Sequence, residues 1–133
     1  MEKREYGQGD ASFLAAGGEA GIRNLVDRFY LEMDGLPEAR AVREMHKEDL
    51  TDVRDKLGRF LCGWLGGPKR YQEKYGQISI PLSHQPFSIG SAERDAWLRC
   101  MRIAVDAQPY EKCFKKYLME QLAFPAERVR NRE

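Results

Sequence analysis

The residues best suited to chemistry lie around His84. This histidine opens the segment His84-Gln85-Pro86-Phe87, between two stretches rich in aromatic and aliphatic residues. They are Phe60-Leu61-Cys62-Gly63-Trp64-Leu65-Gly66-Gly67-Pro68 before it and Glu93-Arg94-Asp95-Ala96-Trp97-Leu98 after it. A neutral imidazole binds iron through one ring nitrogen while the other donates a hydrogen bond. A histidine between two apolar helices is therefore able to hold an iron porphyrin, and His84 is the predicted iron ligand.

Length and charge set the domain organisation and exclude two classes of partner. A chain of 133 residues forms one core, so we expect a single domain over 1–133, with segments 1–12 and 125–133 at its periphery. Lys and Arg number 22, and Asp and Glu number 21, which leaves a formal net charge of +1. A field this weak argues against nucleic acid and against an anionic membrane as partners.

The cysteines and the lack of long apolar runs favour a cytoplasmic protein without covalent cofactors. The sequence has three cysteines, Cys62, Cys100 and Cys113, and no Cys-x-x-Cys pair. This spacing disfavours a zinc site and a disulfide framework, and any haem would be held without thioether bonds. No apolar run approaches the length of a membrane span or of a signal-peptide core.

The hydrophobic pattern predicts an all-α protein, because apolar residues recur at intervals of three and four and no useful period-two alternation occurs. Four strong helices are predicted, around Glu19–Met33, Leu50–Leu65, Ser91–Ala107 and Tyr110–Ala123. Shorter helical turns are expected within Leu36–Met45 and over Tyr71–Tyr75. The second and third strong helices flank His84 in the chain, so they are the elements that must position it.

Individual residues mark the expected helix ends. The pair Gly17-Gly18 permits a sharp entry into the first strong helix, because glycine tolerates positive φ angles. Ser91 is the predicted N-cap of the third strong helix, followed by acidic residues in its first turn. Pro125 is predicted to end the fourth.

Three motifs share their order and spacing with a known family. They are the glycine pair before Arg28-Phe29-Tyr30, the segment Trp64-Leu65-Gly66-Gly67-Pro68 with Tyr75-Gly76 after it, and His84-x-Pro86-Phe87 followed by Glu93-Arg94-Asp95-x-Trp97-Leu98-x-Cys100-Met101. Together, from about Phe13 to Phe124, they resemble the truncated haemoglobins of group II, also called the O-type. The resemblance implies a globin-like, two-over-two α-helical sandwich, with the first two strong helices in one layer and the last two in the other.

The resemblance also implies roles for residues around a non-covalent b-type haem. His84 matches the proximal iron ligand. Tyr30 and Trp97 match distal residues, whose O–H and N–H groups are able to donate to a bound diatomic molecule. His46 falls near the haem edge, where it would add a donor or coordinate the iron as a distal ligand. A shift of one residue would place Met45 there instead.

The other candidates line the pocket or contact the haem propionates. Val53 and Leu57 align with distal-face positions one helical turn apart. Lys56 and Tyr71 lie where the family often binds propionates, but the sequence departs from the family pattern just before His84, which leaves these contacts open. Candidate lining residues, for which ordinary core packing is an equal alternative, are Phe60, Leu61, Ile80, Leu82, Phe87, Ile89 and Met101.

The implied function is binding of dioxygen, CO and NO at a five-coordinate or weakly six-coordinate haem iron. If Tyr30 and Trp97 both donate to bound oxygen, each bond contributes roughly 1.5–3 kcal/mol, and the two slow oxygen release about a hundredfold or more. Slow release favours redox chemistry over rapid carriage. Peroxidase or nitric oxide dioxygenase activity, with electrons from an external reductase, would use the same pocket.

Other functions fit the same sequence. A haem-free helical interaction module would carry the same aromatic residues, with Trp64 and Trp97 serving only to pack. A haem-based sensor would have to signal through a separate partner, because 133 residues leave no room for an output domain. The expected assembly is a monomer or a weak homodimer. An absorption spectrum separates the haem-free module from the haem proteins.

Overall fold

A computed structural model describes residues 5–77 and 87–131 of the chain. The predicted ligand His84 and the lining candidates Ile80 and Leu82 lie outside these residues. All regular structure in the two described ranges is helical, as the hydrophobic pattern predicts. The helices are α1 (Ala11–Ala15), α2 (Gly18–Gly35), α3 (Arg40–Glu44), α4 (Thr51–Trp64), α5 (Arg70–Tyr75), α6 (Ser91–Asp106) and α7 (Lys112–Arg128), with a short 3₁₀ turn at Pro37–Ala39.

Helix α2 is central to the fold because neighbours cover it on two sides. It packs against α4 and against α6, and α6 in turn packs against α7. Side chains at these contacts, such as Phe29 and Met33 of α2 and Leu118 of α7, are almost completely buried. The pairs α2–α4 and α6–α7 form the two layers of the expected sandwich. No helix within the described ranges is long and apolar enough to cross a membrane.

The chain enters α2 through a sharp turn that needs glycine. Gly17 and Gly18 have φ angles of 86° and 70°, in the left-handed region that side chains disfavour. One turn later, a Cβ atom on Gly21 would lie 2.1 Å from the carbonyl oxygen of Ala16. The predicted sharp entry is confirmed, and it allows α1 to pack against the start of α2.

The predicted cap of α6 is wrong by one residue. The helix begins at Ser91, and Gly90 is the N-cap. The Glu93 carboxylate accepts a hydrogen bond from the Gly90 N–H at 3.0 Å, which supplies the side-chain half of a capping interaction. Ser91 is therefore the first helical residue, and the acidic group of the first turn does the capping.

The predicted end of α7 is also wrong, because the helix continues through Pro125 to Arg128. A proline inside a helix removes one backbone hydrogen bond and crowds the preceding turn. Tertiary contacts hold the turn that follows it. Ala126 is buried, and the Glu127 carboxylate forms an ion pair with Arg94 of α6.

Segments near both termini form hydrogen bonds with the rest of the fold, which the sequence did not indicate. The Phe13 N–H donates to the Leu65 carbonyl at 3.0 Å. The Asn131 side chain donates to the Phe87 carbonyl at 2.6 Å and accepts from the Ile89 N–H at 2.8 Å. The Asn131 backbone N–H donates to the Ile89 carbonyl at 2.8 Å. These bonds fasten the C-terminal segment to the residues that precede α6.

Candidate functional site

Three of the predicted site residues are linked by ring contacts, two of them directly to one buried phenylalanine. The ring of Phe29 lies 4.9 Å from that of Tyr30 and 5.0 Å from that of Trp97, centroid to centroid, both in edge-to-face geometry. The Tyr30 ring is also edge-on to the imidazole of His46, at 5.8 Å. The structure thus brings together side chains from α2, from α6 and from the loop between α3 and α4. We call these four residues the aromatic cluster.

The central position of α2 explains why adjacent residues both join the cluster. Phe29 and Tyr30 point about 100° apart around the helix, so one covered face would bury only one of them. Because α4 and α6 both pack on α2, both rings are buried, with 0% and 4% of their surface exposed. Edge-to-face ring pairs of this kind contribute roughly 0.5–1.5 kcal/mol beyond the area they bury.

The environment of Tyr30 keeps its phenol protonated. Burial raises the pKa of Tyr30 well above its usual value, and the positive charge of Arg54 only partly opposes this shift. A neutral phenol is a hydrogen-bond donor, whereas a phenolate is only an acceptor. Tyr30 is therefore able to donate to a polar ligand throughout the physiological pH range.

The hydrogen bond of His46 defines which of its ring nitrogens can act on a ligand. Its Nδ1 lies 2.9 Å from the carbonyl oxygen of Val42. A carbonyl oxygen only accepts, so Nδ1 carries the proton and donates. In the neutral ring, Nε2 then holds a lone pair, which accepts a hydrogen bond or binds a metal. Of the two expected roles for His46, donation to a ligand would require the imidazolium, and iron coordination would not.

The distal-face candidates Val53 and Leu57 and the lining candidate Phe60 lie, together with Trp64, along one side of α4 and remain partly exposed. Val53, Leu57, Phe60 and Trp64 follow one another at intervals of four, three and four residues. All four pack against the core without being closed into it. The rings of Phe60 and Trp64 are stacked at 6.3 Å. This half-covered apolar surface is what a flat, apolar cofactor would need on one side.

The other described lining candidates differ in burial. Leu61 and Met101 are closed in the core, and Ile89 is buried, whereas Phe87 is exposed over 37% of its surface. For Leu61 and Met101 the structure shows the core packing that the sequence allowed as an alternative. Phe87 and Ile89 are the residues whose backbone groups Asn131 binds.

A polar cluster joins α4 to α5 near the two predicted propionate contacts. The Asp55 carboxylate accepts hydrogen bonds from Lys74 at 2.8 Å, from the Tyr75 hydroxyl at 2.6 Å and from the Arg59 guanidinium at 2.9 Å. The bonds from Lys74 and Tyr75, with that from Arg59, hold the pKa of the Asp55 carboxyl well below its usual range. Asp55 therefore stays ionised and ties α5 to α4.

Lys56 and Tyr71, the predicted propionate contacts, both lie beside Tyr75. The Lys56 ammonium is 5.5 Å from the centroid of the Tyr75 ring, and the Tyr71 ring is 5.0 Å from it. Sequence reasoning gave no site role to Asp55 or Tyr75, although Tyr75 belongs to the second family motif. Only the i, i+4 spacing of Asp55 and Arg59 on α4 hinted at an ion pair.

The chemistry of the described residues fits a haem. Across the two described ranges, no group of three or more His, Cys, Asp or Glu side chains could hold a metal. The same residues offer neutral donors in the aromatic cluster, a half-covered apolar face on α4, and a cation at the α4–α5 contact. Neutral donors suit a small molecule bound to a porphyrin's iron, an apolar face suits its ring, and a cation suits its carboxylates.

Comparison with known proteins gives one consistent result. A family model for bacterial-like globins matches residues 11–131. The group 2 truncated hemoglobin YjbI of Bacillus subtilis (strain 168) is 33% identical over 114 residues, which cover 86% of this chain and 84% of that protein. The group II 2-on-2 hemoglobin from the plant pathogen Agrobacterium tumefaciens has a TM-score of 0.89 at 35% identity, covering 99% of this chain and 98% of that one. A truncated oxygen-avid haemoglobin from Bacillus subtilis has a TM-score of 0.82 at 32% identity, covering 90% and 98%.

Proposed function

Because the chain belongs to the bacterial-like globin family, we propose that it binds dioxygen, CO and NO at a non-covalent b-type haem, with His84 as the proximal ligand. Membership in the family implies haem-based binding of a small ligand in general. The observation that carries the finer proposal is the contact of Phe29 with both Tyr30 and Trp97. One buried ring thereby contacts the side chains of both proposed donors.

These donors favour slow release of oxygen. When bound, the haem supplies an iron centre that takes up diatomic ligands and changes oxidation state. The Tyr30 hydroxyl and the Trp97 indole N–H would hold a polar ligand by charge-assisted hydrogen bonds of roughly 1.5–3 kcal/mol each. The oxygen avidity stated for the similar Bacillus subtilis haemoglobin supports the same tendency here.

The other candidate site residues on α4 and α5 would hold and shield the cofactor. Val53, Leu57 and Phe60 cover its face with apolar surface, and Lys56 and Tyr71 bind the propionates. Slow oxygen release suits oxygen-dependent redox chemistry, with peroxide or NO as reactant and an external reductase as electron donor. We place the protein in the cytoplasm, where reducing conditions keep Cys62, Cys100 and Cys113 as free thiols.

Absorption spectra of the purified protein in its ferric, ferrous and CO-bound forms test the cofactor and its ligand. We expect a haem spectrum in the wild-type protein, and loss of pigment or of the normal CO adduct in His84→Ala. A protein that binds no haem would contradict the proposal and leave the helical interaction module. An unchanged spectrum in His84→Ala would contradict the assignment of the proximal ligand.

Oxygen dissociation rates test the distal donors. We expect Tyr30→Phe and Trp97→Phe each to speed oxygen release by about tenfold or more, because 1.4 kcal/mol corresponds to one decade. Tyr110→Phe is the matched control, since the buried Tyr110 hydroxyl has no hydrogen-bond partner among the described residues and lies outside the aromatic cluster. Equal rates in all three variants would exclude Tyr30 and Trp97 as donors.

A further inference from the structure

One guanidinium ties together three parts of the chain around His46. Arg43, in the last turn of α3, donates from Nε to the Asp34 carboxylate. Its Nη1 donates to the Lys47 carbonyl and its Nη2 to the Glu48 carbonyl, each at 3.0 Å. The side chain is only 22% exposed. Three charge-assisted bonds from one rigid fork hold the loop that follows α3 in a single geometry.

His46 lies inside this arrangement and is held on both sides. Its backbone N–H donates to the Arg43 carbonyl at 3.0 Å, and its Nδ1 donates to the Val42 carbonyl at 2.9 Å. The two residues directly after it, Lys47 and Glu48, are those whose carbonyls the guanidinium binds. Neither the ring nor the backbone of His46 can move far without breaking one of these bonds.

Asp34, whose carboxylate binds Arg43, connects the loop to the helix that carries Tyr30. Asp34 lies four residues after Tyr30, one turn further along α2. The bond between Arg43 and Asp34 therefore fixes the loop to α2 next to the place where the rings of Tyr30 and His46 meet at 5.8 Å. Arg43 thus links the loop that carries His46 to the helix that carries Tyr30.

We propose that Arg43 is a positioning residue that holds His46 against Val42 and Tyr30, and so keeps its imidazole from coordinating the haem iron. This inference rests on the proposed function, because it concerns the coordination of the same haem. The Nδ1–H bond leaves the lone pair on Nε2, the nitrogen that would bind iron. With the guanidinium removed, the loop loses its link to α2, and the ring gains the freedom to turn that lone pair toward the iron.

The first test needs no haem. In the haem-free protein, ring ¹⁵N chemical shifts of His46 report the protonated nitrogen, and we expect Nδ1–H to dominate. Arg43→Ala should mix the two tautomers, and Arg43→Lys should do the same, because an ammonium keeps the charge but cannot bind three partners in a fixed plane. Arg40→Ala is the matched control, since Arg40 is in the same helix, is 85% exposed and pairs with Glu44. Unchanged His46 shifts in both Arg43 variants would overturn the inference.

The second test uses the haem-loaded protein. We expect Arg43→Ala or Arg43→Lys to raise the ratio of six-coordinate low-spin to five-coordinate haem by about tenfold, which corresponds to 1.4 kcal/mol. Adding His46→Phe should abolish that rise, and Arg40→Ala should not produce it. A low-spin rise that persists without His46, or no rise in either Arg43 variant, would overturn the inference. Failure of the wild-type protein to bind haem would instead overturn the proposed function.

Discussion

The aromatic cluster contains predicted site residues and the polar cluster at the α4–α5 contact lies beside two others, Lys56 and Tyr71, but the two clusters use opposite physical means. In the aromatic cluster, Phe29 is completely buried and positions Tyr30 and Trp97 through ring contacts. In the polar cluster, Asp55 binds Lys74 and Tyr75 through hydrogen bonds at a surface that water reaches. Packing depends little on salt or pH, whereas exposed ion pairs depend on both.

This difference matches what each cluster would have to do. Donors to a small ligand need a fixed position and a dry environment, where each hydrogen bond is stronger. Groups that bind haem carboxylates are useful at the solvent-exposed edge, where charges remain hydrated. The fold therefore places its rigid contacts around Tyr30 and its adjustable contacts around Lys56 and Tyr71.

The largest loss of folding stability is expected from Phe29→Ala. Removing this fully buried ring leaves a cavity between α2 and α6, which costs about 3–5 kcal/mol of folding free energy. Urea unfolding followed by circular dichroism measures the change. Phe124→Ala is the matched control, since that ring is 67% exposed and its removal should cost less than about 0.5 kcal/mol. Similar losses in the two variants would show that the aromatic cluster is not an especially rigid region.

A smaller loss of folding stability, which depends on pH, is expected from Asp55→Asn. The wild-type protein should be more stable by about 1–2 kcal/mol at neutral pH, because the carboxylate accepts charge-assisted bonds that an amide does not. The pKa of Asp55 is lowered in the folded protein, so this advantage is complete above the pKa of the unfolded chain and is lost as the pH falls through the folded value.

Unfolding free energies at neutral and acidic pH, and at low and high salt, measure this advantage. The difference between wild type and Asp55→Asn should narrow below about pH 4 and also narrow in high salt. Asp52→Asn is the control, because Asp52 is an exposed residue in the first turn of the same helix. A difference that stays constant with pH would show that the carboxylate charge does not hold α5.

The smallest effect on stability is expected from Tyr30→Phe. Phenylalanine keeps the ring that contacts Phe29 and His46, so the haem-free protein should change by less than about 1 kcal/mol. The same variant should release oxygen much faster once loaded with haem. A large loss of stability in thermal unfolding would show instead that the fold depends on the hydroxyl.

Local sequence patterns predicted the helical architecture well. The periodic apolar residues of α2 and α4 identified both helices, and Gly17-Gly18 correctly marked the sharp entry into α2. The same local rules failed at Ser91 and Pro125. A cap preference contributes only about 1 kcal/mol, and a proline within a helix costs about 3 kcal/mol. The Glu93 carboxylate at the first position and the contacts of Ala126 and Glu127 at the second outweigh these local preferences.

The sequence also identified Tyr30, Trp97 and His46 as a group, through motifs that resemble those of a family. It did not identify Phe29 as the ring that contacts both Tyr30 and Trp97, nor Arg43 or Asp55 as anchors. Phe29 lies far along the chain from Trp97. Arg43 has no distinctive spacing relative to Asp34 and the loop carbonyls that it binds, nor has Asp55 relative to Lys74. The prediction that His84 binds iron stays a prediction, because that residue lies outside the described part of the chain.

Taken alone, the order of amino acids determined which segments are helical and which of their faces are apolar, because both depend on neighbours within one or two turns. Only the tertiary structure decided that one ring of α2 contacts both Tyr30 of α2 and Trp97 of α6, and that a guanidinium of α3 holds the loop around His46. The contact of Phe29 with Trp97 joins residues distant in the chain, and it exists only once α2 and α6 pack together. The bonds of Arg43 span only four to nine residues, but they require the turn by which the chain after α2 folds back beside Asp34.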